Sequence, residues 1–147
     1  VKVSGSYSVP VDPETAYRLL QDPTVLARCL PGCQDVVQEG DETYRMKMNV
    51  ALAAISGQFE SIVRLAEPNF PTSFRLIVDG TGRIGFVRGD GLLRLCPDGS
   101  ATIVAYEGEV HVGGTLAGVG QRLLDATANL IIRRFFEKLN RLAACPP

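Results

Sequence analysis

The sequence predicts an α+β domain: a curved antiparallel sheet of about seven strands around one long C-terminal helix, with two short helices after the first strand. Three observations carry this. Between Thr43 and Val112, apolar and polar residues alternate in several successive runs. After Gly113-Gly114 the apolar period changes from two to about 3.6. Between Pro13 and Gly32, two segments carry helix start and stop residues.

Val1 to Val9 reads as a strand ended by Pro10 and Pro13. A first helix runs from about Pro13 to Leu20. Asp22 can cap a second helix, Pro23 fits its first position, and Pro31-Gly32 stops it. Asp35 to Glu39 is a short strand that turns at Glu39-Gly40-Asp41-Glu42. In Thr43–Leu52, Tyr44, Met46, Met48, Val50 and Leu52 share one face, and Arg45, Lys47 and Asn49 the other. Such alternation marks a half-buried antiparallel strand. Gln58 to Leu65 repeats it with Phe59, Ser61, Val63 and Leu65 inward. Phe70, Thr72, Phe74, Leu76 and Val78 form a third inward row. Arg83 to Cys96 is a strand interrupted by Gly85, Gly89 and Gly91, and Pro97-Asp98-Gly99 is a turn. Thr102 to Val112 is the last strand, with Val104, Tyr106, Val110 and Val112 inward. Leu116 to Ala143 reads as one helix, about 42 Å long at 1.5 Å per residue. Its apolar positions cover a wider arc than a surface helix needs.

With 147 residues the chain suits one domain, residues 1–144, followed by a short tail, 145–147. A net charge of −1 disfavours nucleic acid as a partner. No run approaches the ~20 apolar residues of a membrane span, and the first residues lack the apolar core of a signal peptide. A cytoplasmic location is expected. The cysteines at 29, 33, 96 and 145 are expected to be free thiols. Cys29 and Cys33 are separated by three residues and lack a second pair, so no metal is expected.

Gly80-Thr81-Gly82-Arg83-Ile84-Gly85 matches a dinucleotide-binding pattern in letters only. That motif needs a helix after it, so that the helix N-terminus meets the pyrophosphate. A strand follows here, and the glycines read as a turn. Glu107, Glu109 and His111 share a strand face opposite Tyr106, Val110 and Val112, which puts them in solvent. The glycines around Asp90 leave its parity undefined. No serine or cysteine pairs with a base, so no catalytic residue is assigned.

A curved sheet cannot lie flush on a straight helix, and a cavity between them is expected. Its lining would come from Tyr44, Met46, Met48, Phe59, Val63, Phe74, Leu76, Val104 and Tyr106 on the strands. The helix would add Leu123, Thr127 and Leu130. Methionine adapts to irregular shapes, and ligand pockets are mostly apolar. The alternative is a filled core. Gly113-Gly114, Gly118 and Gly120 weaken the helix start, and this end is expected to gate ligand entry. At the other end Arg133, Arg134, Lys138 and Arg141 surround Phe135 and Phe136. They complement the helix dipole, or else touch anionic lipid or a partner protein.

The order of elements resembles the START/Bet v 1-like (SRPBCC) superfamily, the helix-grip fold. More closely, the chain resembles the carbon monoxide dehydrogenase G-subunit family. The matching pieces are Gly5-Ser6-Tyr7-Ser8-Val9-Pro10 and Asp22-Pro23 with Leu26-Ala27-Arg28-Cys29-Leu30-Pro31-Gly32-Cys33. Val110-His111-Val112-Gly113-Gly114 with Leu116-Ala117, and Phe135-Phe136 with Leu139, complete them. The resemblance implies a non-catalytic accessory protein of a CO dehydrogenase-type molybdenum hydroxylase, acting at the inner face of the cytoplasmic membrane. Members often carry a linker and a membrane-binding tail, and residues 145–147 would begin such a linker. No covalent cofactor is expected. The lipophilic ligand implied is a quinone or a lipid, held non-covalently for membrane recruitment or electron-acceptor delivery. An enzyme of the same superfamily, a cyclase or hydratase, and a ligand-free interaction module are the alternatives.

Overall fold

The computed structural model describes residues 1–52 and 55–144. The 145–147 tail and Cys145 lie outside the described residues. Seven strands form one sheet: β1 (Lys2–Val9), β2 (Cys33–Gly40), β3 (Thr43–Leu52), β4 (Ile55–Asn69), β5 (Ser73–Gly82), β6 (Gly85–Asp98) and β7 (Ala101–Gly113). Their order is β1-β7-β6-β5-β4-β3-β2, and each neighbouring pair is antiparallel. Helices α1 (Pro13–Gln21) and α2 (Pro23–Cys29) connect β1 to β2 across the sheet's width. Helix α3 (Gln121–Ala144) follows a 3-10 turn, Gly114–Gly118.

Both short helices begin as their sequences dictate. Asp12 accepts from the Thr15 amide at 3.4 Å, and Asp22 from the Thr24 amide at 2.9 Å. Each has proline in its first turn, where no amide donor is missed. Such a cap contributes about 1 kcal/mol.

The inward rows are paired in register. Met46 lies opposite Ser61, Ser61 opposite Gly80, and Gly80 opposite Val87. Two apolar clusters result. The larger joins α1, α2 and the C-terminal half of α3 to the sheet, around Tyr17, Leu20, Met46, Phe74, Val104, Phe136 and Leu139. The smaller gathers Val50, Leu52, Phe59 and Leu116, with Ile84, Leu130 and Ile131 packed against it.

Two boundaries differ from expectation. The long helix starts at Gln121, not Leu116. Gly114 (φ 71°) and Gly120 (φ 105°) take left-handed backbone conformations that end the α-helical run on its N-terminal side. Leu116 is buried there, and its amide donates to the Ile84 carbonyl at 3.0 Å. Strand β5 starts at Ser73, so Phe70 and Thr72 are not inward strand positions. Asn69–Thr72 closes as a turn instead, with the Thr72 amide on the Asn69 carbonyl at 2.7 Å. Phe70 stands 49% exposed, edge-on to Tyr17.

Candidate functional site

The inner face of the sheet carries no carboxylate, lysine, arginine or histidine among the described residues of its seven strands. Its buried polar residues carry hydroxyls. Ser61 is buried and turns its Oγ toward the Met48 sulfur at 3.8 Å. Thr102 donates to the Val11 carbonyl at 2.7 Å. Thr127 on α3 donates to the Leu123 carbonyl at 2.8 Å. Tyr106 lies beside the stacked Tyr7–Phe136 pair, its ring centroid 6.1 Å from each. Burial, and then Tyr7 beside it, push the Tyr106 phenol above its usual range.

Between the two clusters runs a strip of inner face that nothing fully covers. Leu76 and Val78 of β5, Gly89 and Gly91 of β6, and Tyr106 and Val110 of β7 are all half-buried. Val110 belongs to neither cluster. A Cβ at Gly89 would meet only the Val78 Cβ at 4.0 Å. One at Gly91 would meet only β7 backbone, 3.5 Å away or farther. These glycines therefore open space above the sheet that ordinary side chains would fill. The strip is apolar and bounded by hydroxyls, the composition of a site for a lipophilic molecule.

The expected lining divides in three. Tyr44, Met46, Val63, Phe74 and Val104 are packed core, with Met46 and Val104 fully buried. Phe59 is buried in the smaller cluster, and Met48 bridges both. Thr127 is fully buried on α3 and Leu130 packs against the smaller cluster, whereas Leu76 and Tyr106 belong to the strip. Leu123 stands apart from it: it is 45% exposed, while its neighbour Leu124 is buried. The wide apolar arc of α3 left its inward edge undefined, and packing selects Leu124. Gly89, Gly91 and Val110 were not expected as lining; glycines on an inward parity were the available signal.

A groove of about 650 Å³ lies on the outer face of β5, β6 and β7. Asp79 and Arg88 pair across it at 2.9 Å, and Arg88 stacks over Phe86 at 5.5 Å. Its charges already satisfy one another, which suits water better than an apolar ligand. Asp90 also points outward, 2.6 Å from Arg75. Glu107, Glu109 and His111 are exposed as expected, and His111 contacts Glu109 at 3.6 Å. Gly80–Gly85 forms the β5–β6 hairpin, with Gly82 opposite Gly85. Among the described residues, no three His, Cys, Asp or Glu side chains could hold one metal ion, and no helix is long and apolar enough to cross a membrane.

Arg133, Arg134, Lys138 and Arg141 are exposed on α3, and Arg133 pairs with Glu137 at 3.5 Å. The aromatics beside them are not left over for a partner. Phe136 stacks on Tyr7 at 4.6 Å, and Phe135 and Leu142 pack against the larger cluster.

The fold recurs in solved structures. A conserved protein from Geobacillus kaustophilus superposes with a TM-score of 0.94 at 30% identity, over 98% of this chain and 95% of that one. A START superfamily protein from Mycobacterium smegmatis reaches 0.74 at 12% identity, over 97% of each chain. A protein from Thermus thermophilus reaches 0.71 at 18% identity, over 99% of this chain and 100% of that one. No curated protein matches the sequence significantly. The family model for the carbon monoxide dehydrogenase G-subunit (CoxG) matches residues 5–144. A match of that extent, on a START-like sheet and helix, places this chain in the CoxG family of carbon monoxide dehydrogenase.

Proposed function

We propose that this protein is a non-catalytic carrier that holds a lipophilic molecule, a quinone or a lipid, on the strip between the inner sheet face and α3. It serves a CO dehydrogenase-type molybdenum hydroxylase at the inner face of the cytoplasmic membrane, bringing enzyme or electron acceptor to the other. The observation that carries this reading is the pair of inward glycines, Gly89 and Gly91, where an added Cβ would meet no side chain closer than 4.0 Å, among half-buried apolar neighbours. The non-catalytic reading is supported by the inner face, where no carboxylate, histidine, lysine or arginine stands among the described strand residues to act as acid or base. The exposed cations Arg133, Arg134, Lys138 and Arg141 are assigned to contact with the partner enzyme.

The test is solvent extraction of the purified protein, followed by mass spectrometry of the extract. The wild type should yield a lipophile near one molecule per chain. Gly89→Leu, which fills the strip from a strand that stays paired, should lose most of it while melting as a folded protein. A ligand-free wild type, or an equal load in Gly89→Leu, would overturn the reading and favour a plain interaction module.

A further inference from the structure

On β7 the inner face runs from one apolar cluster to the other. Val104 belongs to the larger, and Val112 packs against the smaller. Tyr106, Gly108 and Val110 lie between them on the same parity, and Gly108 and Val110 pair with Gly91 and Gly89 of β6. The strip therefore has two unlike ends. At the end beside the 3-10 turn, Phe59, Val87, Val112 and Leu116 are all apolar. At the other stands Tyr106, one pleat or about 7 Å beyond Gly108. Leu93 opposite it, and Leu95 and Val104 behind it, pack in or against the larger cluster, so the strip stops at this ring.

Tyr106 carries a phenol that the fold leaves unused. The residue is half-buried, its ring leans over Gly5 of β1, and its hydroxyl has no hydrogen-bond partner among the described residues. The other inner hydroxyls are placed differently. Thr102 and Thr127 donate to backbone carbonyls at 2.7 and 2.8 Å, and Ser61 turns to the Met48 sulfur. Tyr7 lies opposite Val104, and Tyr44 is buried in the larger cluster on β3, so both stand off the strip. Burial raises the Tyr106 phenol above its usual range, so at neutral pH it is a donor.

We infer that Tyr106 reads the ligand's head: its phenol donates a hydrogen bond to a carbonyl oxygen of the lipophile, whose apolar body lies along Gly91, Gly108, Gly89 and Val110. This rests on the carrier reading and names the polar contact of that same site. A carbonyl fits better than a hydroxyl, because a hydroxyl would bring a second donor into a strip with no acceptor to spare. It also fits better than an ionic head, since no lysine, arginine or histidine stands on the inner face of the described strands to pair with one. The single donor sets the ligand's direction. The carbonyl end lies against the larger cluster, and the apolar end points toward Val112 and Leu116. A quinone ring and an acyl ester both carry such an oxygen.

The experiment measures binding of decyl-benzoquinone and of methyl laurate to the wild type and to Tyr106→Phe, by calorimetry and by the infrared carbonyl stretch of the bound probe. Tyr106→Phe keeps the ring and removes a hydroxyl that nothing in the fold uses, so the melting temperature should not change. The wild type should bind at least one probe, with its carbonyl stretch at lower frequency than in hexane. The variant should bind that probe about fivefold more weakly, the worth of one neutral hydrogen bond, and the stretch should return to its hexane position. A ring that only packs would leave the stretch where it was. An effect on one probe alone supports the inference and tells the quinone from the ester as the source of the carbonyl. Equal affinity and an unshifted stretch in Tyr106→Phe overturn the inference and leave the carrier reading standing. A wild type that binds neither probe overturns both.

Discussion

Tyr106 owes its place to Gly5 across the β1–β7 pair. A Cβ at Gly5 would stand 2.6 Å from the Tyr106 hydroxyl, so the ring lies where only glycine leaves room. Gly5→Val should push Tyr106 off Phe136 and lower stability by about 1–3 kcal/mol in urea denaturation. Thr102 is fully buried, and its hydroxyl ties β7 to the chain entering α1. Thr102→Val should cost about 1–2 kcal/mol, because the Val11 carbonyl loses its side-chain donor. The cysteines should separate by burial. Burial pushes the Cys29 thiol up, despite Lys138 and Arg28 nearby, whereas Cys96 is exposed. Site-resolved alkylation near neutral pH should therefore label Cys96 first and leave Cys29 unmodified until the protein unfolds. The inward rows of β3, β4 and β7, and of β5 from Phe74 onward, were legible from alternation alone. Asp90 was not, because Gly89 and Gly91 removed the contrast that parity needs; pairing to Ile77 and Glu109 fixes it outward.

Among the elements, the strands were easier to read than the connections. Alternation through Tyr44–Leu52 and Phe59–Leu65 predicted β3 and β4, and their pairing follows from it. Extending the β5 row back across Pro71 failed, since proline has no amide to give to a ladder and the chain turns there. The helix failed similarly at Gly118 and Gly120. Their high cost in a helix was visible in the sequence, but the apolar period through Leu116 and Val119 masked it. The 3-10 turn that replaces the first helical turns keeps only Leu116 buried. Amides at Ala117, Gly118 and Gly120 should exchange with deuterium orders of magnitude faster than those from Ile131 to Leu139. Equal protection would remove the basis for a gate at the strip's mouth.

At the scale of the whole molecule, a net charge of −1 reflects charges paired across the outer face of the sheet, Arg75 with Asp90 and Arg88 with Asp79 among them. Composition could not show this, because the pairs exist only once the strands are in register. A cavity was expected from a curved sheet against a straight helix, with its lining drawn from the inward rows and α3. Most of the expected lining is filled core, and the open strip depends on two glycines that the sequence presented as interruptions. The central claim is that a lipophile occupies the inner face. Paramagnetic broadening of methyl resonances by a doxyl-labelled stearate tests it most directly, because it reads the two faces of the same strands separately. The carrier account predicts loss of the Val78, Leu93 and Val110 methyl signals at one equivalent of probe, with those of Ile62 and Ile77 on the outer face kept sharp. Broadening of Ile62 and Ile77 with Val78 and Val110 unaffected would place the ligand in the outer groove and contradict it.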